Sequence, residues 1–464
     1  MRHWVGWADR VLGRALARAA LLGGCLSHSA LAAAATGDED PGELYARTDP
    51  AAVGARALVQ AALPPTLSAS HPRGTPRYFQ PIEDPTGHAL DHFYAALART
   101  DAGVEGALTR VSHMGDSSIG LDGLPHAIRR RMQDRFGDGG AGFVLLTRYS
   151  PNYNSRVVRF GASGQWDVCY IAYRCRSDGR YGLGGHVFRG KPGARAKIQT
   201  RRGGTHGTRA AHLELWYATS PHGGRATFGV SGGAQVQVNT RASAIESRWA
   251  DLDVEPGPQT VSLRIDTGRY VWAYGIVSET EGPGVVWDTM SMIGVYTPRL
   301  AGYDDAHIAE QVAHRDANLL VLNYGGNDLR RLVAGRVSAD SYRDELAAVV
   351  AKLRRGKPEM SCLVIGVIDH GRSGSRTVRR RHTQAMVQAQ RDAAFASGCA
   401  FFDSVAVMGG AGSIRAWREH DPPLAEPDLK HLSVAGRDLM GGRVFAALLA
   451  GYEAYAAVGT EPDR

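Results

Sequence analysis

Thr109-Arg110-Val111-Ser112-His113-Met114-Gly115-Asp116-Ser117 reads as a strand that stops at a sharp turn and presents a hydroxyl there. A helical pattern from about Leu124 to Phe136 follows, and Gly137-Asp138-Gly139-Gly140 ends it. Strand, tight turn and helix form the setting an exposed nucleophile needs. The helix N-terminus expected behind Ser117 would also favour developing negative charge. Gly-Asp-Ser alone occurs by chance in many loops, so the reading depends on what accompanies it.

Two further blocks accompany it. Asp428-Leu429-Lys430-His431 places a carboxylate and an imidazole three residues apart near the end of the chain. Gly325-Gly326-Asn327-Asp328, between them, is a turn with a side-chain amide donor. A serine hydroxyl is a poor nucleophile until a base takes its proton. His431 suits that task near neutral pH, and Asp428 would hold its ring and stabilise the imidazolium. The backbone N–H of Ser117, the N–H of Gly294 within Met290-Ser291-Met292-Ile293-Gly294-Val295-Tyr296, and the Asn327 amide are the candidate oxyanion donors. Each has a plainer alternative. Asp428 and His431 precede a helix that Ser433 would cap, Asn327 suits a left-handed turn, and Gly294 reads equally as a simple turn. Asp328 reads as structural, Asp116 as a support for the turn, and His113 as a core residue.

The chain has 464 residues, a formal net charge of +8 and 22% charged residues, which fits a soluble globular protein of two or three domains. A basic balance favours an anionic polymer as partner, but no aromatic-and-basic nucleic-acid module is present and no nucleic-acid partner is expected. Arg129-Arg130-Arg131 and Arg379-Arg380-Arg381 read as solvated helix faces. Residues 1–34 have the pattern of an export signal: Arg10, Arg14 and Arg18, an apolar stretch from Ala19, and Ala30-Leu31-Ala32 as cleavage site. A periplasmic or extracellular location is therefore expected. Leu22-Gly23-Gly24-Cys25 also resembles a lipoprotein box, so a lipid anchor at Cys25 is the second reading. Cys169, Cys175, Cys362 and Cys399 remain after cleavage; two disulfides and buried free thiols are both open. No metal or cofactor is expected, because the histidines do not fall at ligand spacings and a serine triad needs none.

Residues 35–104 form an N-terminal extension expected to pack on the domain that follows. Residues 105–148 carry the first α/β piece. From 149 to 286 the character changes to short alternating runs, such as His212-Leu213-Glu214-Leu215-Trp216-Tyr217 and Gln259-Thr260-Val261-Ser262-Leu263-Arg264-Ile265, separated by glycine-rich turns. That pattern predicts a β-sandwich or jelly roll. In 287–464 buried strands at Asn318–Tyr324, Cys362–Ile368 and Cys399–Asp403 alternate with helices around Ser341–Leu353 and Thr383–Ala396. Continuous apolar strands between helices imply a parallel sheet covered on both faces. The β-rich stretch is then an insertion that splits one α/β domain.

Gly115-Asp116-Ser117, Gly294, Gly325-x-Asn327-Asp328 and Asp428-x-x-His431 resemble the four blocks of the SGNH (GDSL-type) hydrolases. The resemblance implies a flavodoxin-like three-layer α/β/α domain, with Ser117 as nucleophile, His431 as base, Asp428 as orienting carboxylate, and Ser117, Gly294 and Asn327 as oxyanion hole. Where that family often has glycine, Ser291 stands here. Arg135-Phe136-Gly137-Asp138-Gly139-Gly140-Ala141-Gly142-Phe143, followed by a β-insert, is similar to bacterial periplasmic peptidoglycan O-acetylesterases with an inserted carbohydrate-binding-like β-sandwich. The expected function is an exported serine esterase that removes O-acetyl groups from a polysaccharide, above all peptidoglycan. A lipase or thioesterase of the same fold and a non-catalytic polysaccharide-binding protein are the alternatives. Trp166, Tyr170, Trp216 and Trp272 would stack on sugar rings or fill the sandwich core, the core being the favoured reading.

Overall fold

A computed structural model describes residues 79–459 except Gly164 and Arg202. The expected export signal, Cys25 and residues 35–78 of the extension lie outside the described residues.

Five parallel strands form the central sheet: β1 (Leu108–Gly115), β2 (Gly284–Ser291), β3 (Leu319–Asn323), β4 (Ser361–Ile365) and β5 (Ala400–Phe402). Their spatial order is β2-β1-β3-β4-β5, the flavodoxin-like order, with its switch point between β1 and β3. The principal helices are α1 (Asp91–Asp101), α2 (Gly123–Phe136), α3 (Asp305–Arg315), α4 (Gly326–Val333), α5 (Ala339–Arg354), α6 (Arg380–Ala396) and α7 (Val434–Gly459). Parallel strands covered on both sides are apolar throughout, and β3 divides its side chains accordingly. Leu319 and Val321 join a core with Phe93 of α1, Ile128 of α2 and Val444 of α7. Leu320 and Leu322 join another with Ile308 of α3, Val349 of α5 and Met386 of α6. This is the expected three-layer α/β/α domain.

The insertion is a sandwich of two antiparallel sheets. One contains Trp166–Tyr170, His186–Gly190, Ala210–Ala218, Ser247–Gly257 and Val271–Glu279; the other contains Val158–Ala162, Arg195–Thr200, Arg225–Val230, Gln235–Asn239 and Thr260–Ile265. Phe188, Trp216 and Phe228 fill it, and its core is continuous with that of α3, α5 and α6.

The insertion is wider at its start than 149–286 and narrower at its end. Gly140–Val144 pairs antiparallel with Val271–Glu279 and so belongs to the insertion, while β2 of the hydrolase sheet already begins at Gly284. The first strand was hidden by its glycines, which read as a helix stop. One of them is required: Gly142 has φ +70°, and a Cβ there would lie 2.3 Å from Asp288 Oδ1.

At this seam Arg315 of α3 is buried. Its guanidinium donates to both carboxylate oxygens of Asp288 on β2, at 2.8 and 2.9 Å, and to Glu279 at 2.8 Å. Arg110 of β1 binds Glu279 as well, and Asp288 accepts the N–H of Phe143 at 2.8 Å.

Both disulfides are formed, Cys169–Cys175 within the insertion and Cys362–Cys399 across the β4/β5 edge. The arginine run 129–131 is not a solvated face: Arg129 is buried against Asp122, and Arg130 and Arg131 bind Asp438 of α7. Trp216 is core, as favoured, whereas Trp166 and Trp272 are half-buried.

Candidate active site

β1 delivers Ser117 to the switch point. A Cβ on Gly115 would lie 2.7 Å from the Asn323 carbonyl oxygen, so β1 can close on β3 only with glycine there. Asp116 then turns the chain, its carboxylate accepting the Ser118 N–H at 2.8 Å. The segment behind Ser117 differs from expectation. Ser117–Asp122 is a kinked 3-10 turn with Leu121 and Asp122 left-handed, and α2 starts only at Gly123. The α2 N-terminus is therefore not directly behind the hydroxyl. Asp122 instead binds Arg129 at 2.7 Å and Thr289 Oγ1 at 2.7 Å.

The loop before α7 brings His431 to Ser117. Ser117 Oγ lies 2.9 Å from His431 Nε2, and His431 Nδ1 lies 2.6 Å from Asp428 Oδ2. Asp428 Oδ1 accepts the N–H groups of Lys430 and His431, both at 3.1 Å. Burial pushes the Asp428 carboxyl up, but the His431 ring and those two N–H groups outweigh it and hold it below the ordinary carboxylate range. An ionised carboxylate thus orients His431 so that Nε2 faces the hydroxyl. Ser433 caps α7 by accepting the Gly436 N–H at 3.1 Å.

Asn327, in the first turn of α4, lines the same pocket as Ser117 and His431. Its Nδ2 donates to Val295 O at 2.9 Å and to Asp116 Oδ2 at 3.2 Å. Burial holds the Asp116 carboxyl above its ordinary range. Asp328 has the structural part expected of it: buried, it accepts from Thr297 N–H and Oγ1 and from Arg331. Gly294 occupies an exposed turn after β2, with φ +78°, closed by a bond from Val295 N–H to Met292 O at 3.1 Å. That turn is tied to the nucleophile strand by Met292 N–H to Gly115 O at 2.7 Å and by Ser291 Oγ to Asp116 O at 3.2 Å. Gly294 is not among the residues lining the pocket beside Ser117.

The pocket at Ser117 is small, about 80 Å³, and Tyr324, Val367, Ile368 and His370 form much of its wall. A larger cavity, about 570 Å³, lies elsewhere, on the outer face of the five-stranded insertion sheet around Gly161, Lys197 and Arg264. Its lining has hydroxyls and Lys197 but no histidine or carboxylate, so the chemistry is assigned to the smaller one.

Three participants in this site were not legible as such. His370 is buried beside the pocket, and burial, followed by the charges of His431 and Lys430, lowers its pKa to about 3. Tyr149 and Tyr170 come from the insertion. Tyr170 cannot stack on a sugar: it is 4% exposed and its hydroxyl donates to Ile293 O at 2.8 Å. His113 is a core residue, its Nδ1 accepting the Trp287 indole N–H at 3.2 Å. Strand pairing also gathers one group with metal-ligand spacing that linear spacing concealed, His212, Glu214 and Asp251 in the insertion. Its members are already engaged, His212 with Asp253 at 2.9 Å and Glu214 with His314 at 2.8 Å.

The GDSL-like lipase/acylhydrolase family matches residues 279–439, which hold β2 to β5, Asn327 and the Asp428–His431 pair. A solved peptidoglycan O-acetylesterase superposes with a TM-score of 0.65 at 20% identity, covering 78% of this chain and 96% of that one. The α/β pieces alone make up only about half of the chain, so this similarity of fold extends into the insertion. A lipase/acylhydrolase from Enterococcus faecalis (16% identity, 36% of this chain, 77% of that one, TM-score 0.28) and a family two carbohydrate esterase from Cellvibrio japonicus (10%, 64%, 98%, 0.25) match less well. No curated protein matches the chain. Residues 279–439 thus match the GDSL-like lipase/acylhydrolase family, and the strand order with the split α/β domain gives the chain the SGNH hydrolase fold.

Proposed function

We propose that this carboxylic ester hydrolase is an exported esterase that removes O-acetyl groups from a polysaccharide, peptidoglycan being the first candidate, with Ser117, His431 and Asp428 as its catalytic triad. The observation that carries the reading is the hydrogen-bonded chain from Ser117 Oγ to His431 to Asp428, at 2.9 and 2.6 Å, on the rim of a pocket of about 80 Å³. His431 Nε2 takes the Ser117 proton as Oγ attacks the ester carbonyl. The oxyanion is held by the N–H groups of Ser117 and Gly294, with Asn327 beside them. His431 returns the proton to the departing sugar oxygen, leaving an acetyl-serine. Water, deprotonated by His431, then releases acetate and frees Ser117. A pocket this small supports acetyl over long acyl chains. Two disulfides and the signal-like N-terminus support export.

Hydrolysis of 4-nitrophenyl acetate, butyrate and octanoate by wild type and by Ser117→Ala tests the reading, followed by acetate release from O-acetylated peptidoglycan. Acetate preference lost in Ser117→Ala supports it. Octanoate preference would point to a lipase, and the absence of turnover to a binding protein.

A further inference from the structure

We infer that Tyr170, seconded by Tyr149, is a positioning residue through which the insertion aims the oxyanion-binding N–H of Gly294. The inference rests on the oxyanion role given to Gly294 above.

The backbone leaves β2 at Ser291 and turns through Val295 with Ser291, Met292 and Val295 buried, but Gly294 itself is exposed and nothing lies within 4 Å of where its side chain would begin. Packing therefore does not fix this residue. Hydrogen bonds do, and the insertion supplies several of them. Tyr149 Oη donates to Ser291 O at 2.9 Å and accepts the Ile293 N–H at 2.9 Å. Tyr170 Oη donates to Ile293 O at 2.8 Å. That last contact is decisive, because the Ile293 carbonyl and the Gly294 N–H belong to one planar trans peptide unit and point in opposite directions. Anchoring the oxygen sets the direction of the N–H. A bond to the carbonyl also polarises the amide and makes its N–H a stronger donor.

The tyrosines are themselves held rigidly. Tyr170 stacks on His186, with centroids 4.4 Å apart and planes 3° apart, and lies 5.0 Å from the Tyr149 ring. His186 lies 3.9 Å from the Tyr149 ring, with its Nδ1 2.6 Å from Gly184 O. The Tyr170 N–H donates to Cys175 Sγ at 3.1 Å, inside the loop closed by the Cys169–Cys175 disulfide. Burial raises both phenols above their ordinary pKa, so they stay protonated donors around neutral pH. An oxyanion hole works by being oriented before charge develops. Here part of that orientation comes from outside the α/β domain.

The test compares wild type, Tyr170→Phe, Tyr149→Phe and Ser117→Ala on 4-nitrophenyl acetate. An aryl boronic acid, which places a tetrahedral oxyanion on the serine, serves as transition-state mimic. Removing one neutral hydrogen bond should lower kcat about threefold to tenfold in Tyr170→Phe. KM and the melting temperature should stay near wild type, and boronate affinity should fall by the same factor as kcat. A merely structural tyrosine would lower the melting temperature or the active fraction and leave boronate affinity of the folded enzyme unchanged, which would overturn the inference. Unaltered kcat in Tyr170→Phe would overturn it too. Should Tyr170→Phe fail to fold, the same comparison in Tyr149→Phe decides. Turnover that survives Ser117→Ala would instead overturn the proposed function, so the two failures are separable.

Discussion

Replacing Arg315 by methionine would leave two buried carboxylates facing each other across the seam between the α/β domain and its insertion. In the native protein Arg315 makes three bonds to them, two to Asp288 and one to Glu279. Removing one partner of a buried ion pair costs about 3–5 kcal/mol. Proton linkage gives an independent figure. Burial opposes ionisation of Glu279, but Arg315 and Arg110 overcome it and push its pKa from 4.5 down to about 2. At 1.36 kcal/mol per pKa unit the native carboxylate contributes about 3 kcal/mol. The folded pKa is the lower one, so this stability is present above pH 4.5 and is lost as pH falls toward 2. Arg110 stays on Glu279 in the variant, while Asp288 keeps only neutral donors from Ser112 and Phe143. A loss of about 4 kcal/mol lowers the melting temperature by roughly 5 °C in a chain of this size. Scanning calorimetry at pH 7 and at pH 4 measures it. Protonation relieves the unpaired carboxylates of the variant, so the gap from wild type must narrow at the lower pH. A gap under about 2 °C at pH 7, or one that does not shrink on acidification, would refute the reasoning.

Other outcomes follow from the site and the fold. Asp428→Asn should lower kcat by orders of magnitude, toward the roughly 10⁴-fold seen when a triad carboxylate is neutralised, with KM little changed in steady-state assays. His370→Ala should enlarge the acyl pocket and raise the butyrate-to-acetate ratio of kcat/KM severalfold; an unchanged ratio would remove His370 from the pocket wall. Cys362→Ala with Cys399→Ala opens a loop of 37 residues and should cost about 4 kcal/mol, read as a shift of the urea midpoint at constant slope.

The parts of the site that could be read in advance are those encoded locally. Asp428 and His431 sit in one short loop, and Ser117 follows a strand whose apolar run stops at Gly-Asp. Strands β3 and β4 declared themselves as unbroken apolar runs, which parallel strands covered on both faces require. What stayed hidden depends on contacts between distant segments. Gly140–Val144 is a strand only because Val271–Glu279 offers it hydrogen bonds, and its glycines mask the pattern. Arg129 reads as one of three exposed arginines until Asp122 is placed beneath it. Tyr149 and Tyr170 lie far along the chain from Ile293, and a phenol bound to a main-chain carbonyl leaves no periodic trace. The cysteine pairing stayed open for the same reason: a disulfide needs a geometry that spacing does not carry.

The continuous core shared by the insertion and one face of the hydrolase sheet has a mechanical consequence. An appended module on a flexible tether can hold a polymer while the catalytic body wanders over it. Here Phe188 and Phe228 of the sandwich belong to the same apolar body as Leu320 and Val349, so no joint separates them. Whatever grips the insertion therefore grips the catalytic frame, and the angle at which a chain meets the one dictates the angle at which it reaches the other.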